Sequence, residues 1–298
     1  MKHISCRAHP TRVGMKGRFF AAVLVALAPS AIHAEPAERA LELFNTANYQ
    51  GAIALLGEAR DPHSLEILGR CYLAEADHRK ATEILERAVA GRPNDSMLHT
   101  WLARAYGHRA ENSFAMTAIH YANRTRETFE RALQLDPSNK DALGDLFEFY
   151  LQAPSFVGGG VEKAEALLPQ IARYDPVGFE LSKALLSEHA KRYGEAEAHL
   201  HRAIEMASGK PGLYINLAKF LARRGRYDES EQAFREARKV APKAARIDFE
   251  LADTYIRTHR NRREARELLK RYLSADNLTP DDPSRAEAER LLRKAEGG

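Results

Sequence analysis

PHSLEILGRCYLAEADHRKATEILERAVAGRP, residues 62–93, carries two apolar stripes of helical period separated by a polar turn. Leu65, Leu68, Gly69 and Tyr72 mark the first stripe; Ala81, Leu85 and Ala88 mark the second. The small Gly69 allows a paired helix to approach closely, and Ala81 and Ala88 do the same from the other side. Leu and Tyr fill the remaining space. Pro93 cannot continue a helix and restarts the next one at its first turn.

The same arrangement returns downstream. Tyr214, Leu217, Ala218 and Leu221 are followed by Gly225, Tyr227, Ser230, Phe234, Ala237 and Pro242. The small residue in the middle of the second helix recurs as Ala52, Ala81, Thr125, Ala164, Ala196, Ser230 and Ala265, at spacings of 29, 44, 39, 32, 34 and 35 residues. Supporting residues surround these positions: Leu102-Ala103-x2-Tyr106, Phe129-x2-Ala132 with Pro137, Leu146 with Tyr150, Leu200-x2-Ala203, and Leu251-Ala252-x2-Tyr255. The first and fifth units match least, and Phe147 replaces the usual small residue in the fourth.

These units resemble the tetratricopeptide repeat, a helix-turn-helix of about 34 residues. The resemblance implies an all-α, right-handed superhelical solenoid of about seven repeats. The units fall at about 36–61, 62–93, 96–137, 140–176, 178–208, 211–242 and 245–276. A capping helix follows at 284–295, where Ser284 and Glu287 form a capping box after Pro283.

Residues 1–34 read differently. Phe19 to Ala28 is an apolar run of ten residues, preceded by Lys16 and Arg18 and ended by Pro29. That is half of the roughly 20 residues a membrane-spanning helix needs. With Ala34 at the end of a short neutral segment, it has the layout of a secretory signal peptide cleaved after Ala34. A signal starting at Met15 would have ordinary proportions, so Met15 is a candidate true start. The expected mature chain is soluble and periplasmic, with no membrane span.

Charge follows the same division. Forty-five bases against 41 acids give +4, but the five bases Lys2, Arg7, Arg12, Lys16 and Arg18 stand in residues 1–34, which hold no acid. Residues 35–298 are therefore nearly neutral, which argues against general nucleic-acid binding. Cys6 goes with the leader, and Cys71 alone cannot form an intramolecular disulfide, so packing must hold the fold. Cys71 is expected to be buried and inert.

Sites for chemistry are missing from the pattern. There is no H-E-x-x-H, no paired Cys and no G-x-S-x-G. His199 and His201 point about 200° apart on a helix and cannot share a metal. Gly158-Gly159-Gly160 before Lys163 lacks the spacing of a phosphate loop. Neither enzyme activity nor a cofactor is expected. Tyr72, Tyr106, Tyr150 and Tyr255 recur at one place in each unit and are read as core.

What the resemblance implies is an interaction module for a protein or peptide partner, in envelope assembly, secretion or maturation of an envelope complex. The alternative is an acidic exported polysaccharide held by the basic last repeats. Arg223, Arg224 and Arg226 cluster at one turn, and Arg257, Arg260, Arg262 and Arg263 at the next. The most specific candidate site lies where units three and four exceed the repeat length. The excess is expected in turns over 107–121 and 153–160, flanking one cleft. The candidates are His108, Arg109, Asn112 and Phe114 in one turn, and Phe156, Gly158, Gly159 and Gly160 in the other. The glycines would allow a partner close approach.

Overall fold

A computed structural model describes residues 31–297. The expected leader, residues 1–34, lies largely outside that range. Fifteen α-helices account for the described chain, with no strand among the described residues. They pair in order: α1 (Ala31–Asn45) with α2 (Tyr49–Leu56), α3 (Pro62–Ala74) with α4 (His78–Gly91), α5 (Ser96–Glu111) with α6 (Ala115–Leu135), and α7 (Lys140–Gln152) with α8 (Val161–Tyr174). The series continues with α9 (Pro176–His189) and α10 (Tyr193–Met206), α11 (Pro211–Arg223) and α12 (Tyr227–Val240), and α13 (Arg246–Arg257) and α14 (Arg262–Leu273). The cap is α15 (Arg285–Glu296).

The small residues do what their size suggests. Ala81, Ala164, Ala196 and Ala265 are fully buried, as are the equivalents Ala103 and Ala218 on first helices. A Cβ on Gly69 would lie 2.5 Å from Leu85 Cγ, so the glycine sets the approach of α3 to α4. Tyr106 and Tyr150 are buried and donate their hydroxyl protons to Glu86 and Glu130 of the preceding unit, at 2.6 and 2.8 Å. Tyr255 is buried as well and Tyr72 half-buried, so the stripe is core at three of its four positions. Cys71 is buried and free, and burial pushes its thiol up to about 12.

Helix starts follow side-chain chemistry. Asp61, Asp77, Asp95 and Asp175 each accept a backbone N–H from the first turn of their helix. Asn139 is buried and does more. Its carbonyl oxygen caps α7 by accepting from Ala142, while its amide donates to Ser96 and Thr100 of α5. One residue therefore satisfies a helix end and joins units three and four.

The turns inside five units share one closure. Ala47, Ala76, Lys191, Gly225 and His259 take left-handed φ between 53° and 76°. The following N–H reaches back to the carbonyl five residues earlier, as Asp77 to Tyr72 at 2.9 Å and Arg226 to Leu221 at 3.0 Å. Units three and four do not use this closure.

First helices of most neighbouring units pack side by side, from α1 through α9 and again from α11 through α15. Second helices of successive units lie farther apart than that. The closer first-helix layer lines the concave side. The curvature accumulates until the chain after α14 returns to the first unit: Ala47 packs against the C-terminal core cluster, and Phe44 and Tyr49 share a cleft with Pro280, Asp282 and Pro283. Carboxylates at Asp282 and Asp281 contribute, after burial itself, to raising the Tyr49 hydroxyl to about 12.

Candidate functional site

The extra length of unit three is helix, not turn. Across 107–121 the chain holds no Pro, so nothing breaks the helical hydrogen bonding outright, and α5 extends to Glu111 while α6 resumes at Ala115. Only Asn112, Ser113 and Phe114 lie between them. Helices of 16 and 21 residues make this hairpin longer than its neighbours. Asn112 closes α5, donating its side-chain amide to the His108 carbonyl at 2.8 Å. Phe114, next to the tip, is 93% exposed, and Met116 is 75% exposed.

In unit four the excess remains irregular. Pro154 leads into a single turn of 3-10 helix at Ser155–Val157, and Gly158 follows with φ of 92°. A Cβ on Gly159 would fall 1.8 Å from the Ala153 carbonyl oxygen. The close approach that Gly159 permits is thus made within the turn itself. Lys163 Nζ donates to the Gly158 carbonyl at 2.8 Å, and the Gly160 N–H donates to the Tyr150 carbonyl at 2.8 Å. Phe156 is left 70% exposed.

The expected residues therefore divide. A cleft of about 410 Å³ between the two units is lined by Gly107, His108 and Glu111 on one side and Phe149, Gln152 and Ala153 on the other. Of the eight candidates only His108 reaches it. His108, Arg109 and Asn112 line a different and larger cleft, while Phe114 and Phe156 line neither.

That larger cleft, about 870 Å³, lies between the first helices of units one to three and the C-terminal cap. Across its floor runs an alternating stack. The Arg70 guanidinium lies 4.4 Å from the Phe44 ring centroid and 4.7 Å from that of Trp101, and the Arg104 guanidinium lies 4.6 Å from Trp101. Arg104 is anchored by Asp145 at 2.6 Å and Asp141 at 3.3 Å. The rings of His78 and His108 stack at 4.7 Å. Burial, then the neighbouring His108, holds the His78 imidazole below its ordinary range. Arg109 lies over the Tyr121 ring at 4.3 Å.

Arg70, His78, Trp101 and Arg104 are absent from the expectations drawn from sequence. A signal for two of them was present. Arg70 and Arg104 stand 34 residues apart, each directly after the small residue of its first helix, Gly69 or Ala103. Equivalent positions of stacked repeats line one face.

The basic last repeats are less basic than their composition. Neighbouring turns do lie side by side: Arg224 covers the Tyr193 ring at 4.2 Å, and Arg260 covers Tyr227 at 4.1 Å. But Arg223 is paired with Glu188, Arg226 with Glu197 and Glu229, and Arg257 with Asp253. Arg224, Arg260, Arg262 and Arg263 have no carboxylate partner among the described residues. No group of side chains suited to a metal ion occurs among the described residues, and no described helix is long and apolar enough to cross a membrane.

Residues 32–105 and 189–248 match the family model of the tetratricopeptide repeat. Two solved structures share the fold. A thermophilic TPR protein of Thermus thermophilus is 22% identical, with a TM-score of 0.53, covering 63% of this chain and 98% of its own. A tetratricopeptide repeat protein of Parabacteroides merdae is 14% identical, with a TM-score of 0.56, covering 89% of this chain and 98% of its own. No curated protein matches the sequence.

Proposed function

We propose that this chain, which carries tetratricopeptide repeats along an all-helical solenoid, is a non-catalytic scaffold exported to the periplasm. It holds a protein partner for envelope assembly, secretion or maturation of an envelope complex. The carrying observation is the exposure of Phe114, Met116 and Phe156 on the two units that depart from the common turn. These three are the most exposed large apolar side chains of the described residues. Burying one such side chain in an interface contributes about 1.5–3 kcal/mol. The polysaccharide alternative needs uncompensated cations, and pairing with Glu188, Glu197, Glu229 and Asp253 removes three of the seven arginines, leaving Arg224, Arg260, Arg262 and Arg263.

The test is affinity capture from periplasmic extract with the wild type and with the triple variant Phe114→Ala/Met116→Ala/Phe156→Ala. The expected result is one partner retained by the wild type in 1 M salt and lost by the variant, with the melting curve unchanged. Equal capture by both proteins overturns the reading, and so does binding that disappears in high salt. Mass spectrometry of the protein from its host should give a chain beginning at Glu35. A cytoplasmic chain with an intact N-terminus overturns the export part.

A further inference from the structure

One joint of the array differs from the rest. Among the described residues, α9 and α11 are the one pair of neighbouring first helices whose Cα atoms all stay more than 8 Å apart. A slot of about 200 Å³ occupies the gap, lined by Leu181 and Leu185 of α9 and by Asn216 and Phe220 of α11. A hollow of about 300 Å³ lies on the other side, between α10 and α12, over Ile204, Leu217 and Ala233. Units five and six therefore meet where α10 packs on α11, with open space on both faces. Two ion pairs cross the joint: Arg223 donates to Glu188 at 2.9 and 2.7 Å, and Arg226 donates to Glu197 at 2.6 Å. Pairs this open to water hold weakly.

The connection between these units, residues 207–210, suits movement as well. Nothing lies within 4 Å of a Cβ placed on Gly209, and Lys210 gives α11 no side-chain cap. The first helices of units two to five are all capped, by Asp61, Asp95, Asn139 and Asp175. A few loop residues at such a joint absorb the dihedral change of a hinge. Helix α13 also starts without a side-chain cap, but its backbone packs against both α11 and α12.

Everything beyond the joint is held again at its far end. Ala47 packs against the C-terminal core cluster, and Tyr49 feels the carboxylates of Asp282 and Asp281. No Cα of α1 or α2 lies within 8 Å of a Cα of α13, α14 or α15, so no helix-on-helix backbone packing closes this seam. It is made by side chains and by the segment 279–283. Asp282 folds that segment, accepting from the Thr279 N–H and hydroxyl at 2.8 and 2.9 Å, and Tyr272 donates its hydroxyl proton to the Pro283 carbonyl. A seam of this kind, without an extended packed face, permits relative motion of the two parts.

We infer that units six and seven with the cap are a lid, hinged between α9 and α11 and latched on unit one by the segment 279–283. Opening parts α15 from the first helices of units one to three and exposes the cleft of about 870 Å³ between them. The lid concerns movement of the array itself and does not rest on the scaffold reading.

Spin-label distances in the full chain test it. Cys71 is buried and free, so labels attach to introduced cysteines. The pair Glu58→Cys/Lys294→Cys spans the latch, Glu58→Cys/Lys191→Cys reads units one to five, and Asp228→Cys/Lys294→Cys reads the lid alone. All these positions are exposed. Ala47→Glu puts a long charged side chain into the seam, and Lys191, at the equivalent turn position with φ of 59°, shows that the turn accepts one. Asp282→Ala is the second latch variant and leaves unit one untouched. Without a latch substitution the short distance across the latch should dominate, with the open form at about 0.1–10%. Either latch variant should shift the main population to a longer distance, while the other two pairs and the helical signal stay unchanged. An unshifted latch distance in both variants overturns the latch. A change in Glu58→Cys/Lys191→Cys or in Asp228→Cys/Lys294→Cys that accompanies the shift overturns the hinge, because the array then bends elsewhere or throughout.

Discussion

Gly69→Ala and Gly144→Ala are the same chemical change on first helices of two units, and the structure assigns them opposite signs. In an open helix, Ala is favoured over Gly by about 1 kcal/mol. Nothing lies within 4 Å of a Cβ built on Gly144. That substitution should therefore stabilise by about 1 kcal/mol. On Gly69 the new Cβ meets Leu85 Cγ at 2.5 Å and Cδ2 at 2.7 Å. Carbon contacts prefer about 3.5–4.0 Å, so the pair must part by roughly 1 Å. Leu85 is fully buried in α4 among Leu65, Leu98 and Ala88 and has no open side to move toward. Overpacking of this kind costs about 1–3 kcal/mol, which offsets the helical gain and leaves a loss of up to about 2 kcal/mol. Leu85→Ala alone should cost about 2–5 kcal/mol. In the double variant the new methyl occupies space that Leu85 vacated, so the pair should cost about 1–3 kcal/mol less than the sum of the singles. Urea unfolding followed by circular dichroism gives the totals, and hydrogen exchange over 62–91 localises the effect. A stabilising Gly69→Ala, or an additive cycle, would refute the packing argument.

Further expectations concern single groups. Cys71 should react with a thiol reagent only on unfolding: burial holds the thiol near 12, and rapid native labelling would contradict its placement. The His78 imidazole is held below its ordinary value near 6.5, so the unfolded chain binds the proton more readily. Stability should accordingly fall as pH drops through about 6.5 toward the folded value, and His78→Gln should flatten that slope in urea midpoints measured from pH 8 to pH 5. Ala76→Gly should stabilise by up to about 1 kcal/mol, because its φ of 59° penalises a side chain and its turn equivalent in unit six is already Gly225. A lower melting temperature would count against the shared turn closure.

The repeat pattern was legible because each unit solves the same local problem. A small residue must face a small residue, an aromatic must fill the adjoining space, and a breaker must end the pair. Gly69, Ala81, Ala103 and Ala218 can be read one by one, and every one is buried where that logic places it. The spacing of 44 residues also located the unit that departs from the common form. It did not reveal that the added residues would be helical, since an insertion length carries no conformation. Phe114 and Phe156 stood out by residue type, and both are exposed. Gly159 approaches Ala153 of its own turn, and close approach within a turn and close approach to a partner leave the same trace in a sequence.

The order and type of helices and the buried faces follow from the sequence itself, since they depend on contacts within a unit or between neighbours. Tertiary structure alone decided which side chains meet across the array. Each unit turns by a small angle relative to the last, and no local residue encodes the sum of those rotations. That sum brings α15 opposite Phe44, Arg70 and Trp101 and creates a cleft of about 870 Å³ from opposite ends of the chain. It also decided which arginines keep a free charge, because pairing depends on the neighbouring unit's carboxylates. Arg223 meets Glu188 across 35 residues, and Glu66, four residues before Arg70, is shared between Arg70 and Arg92.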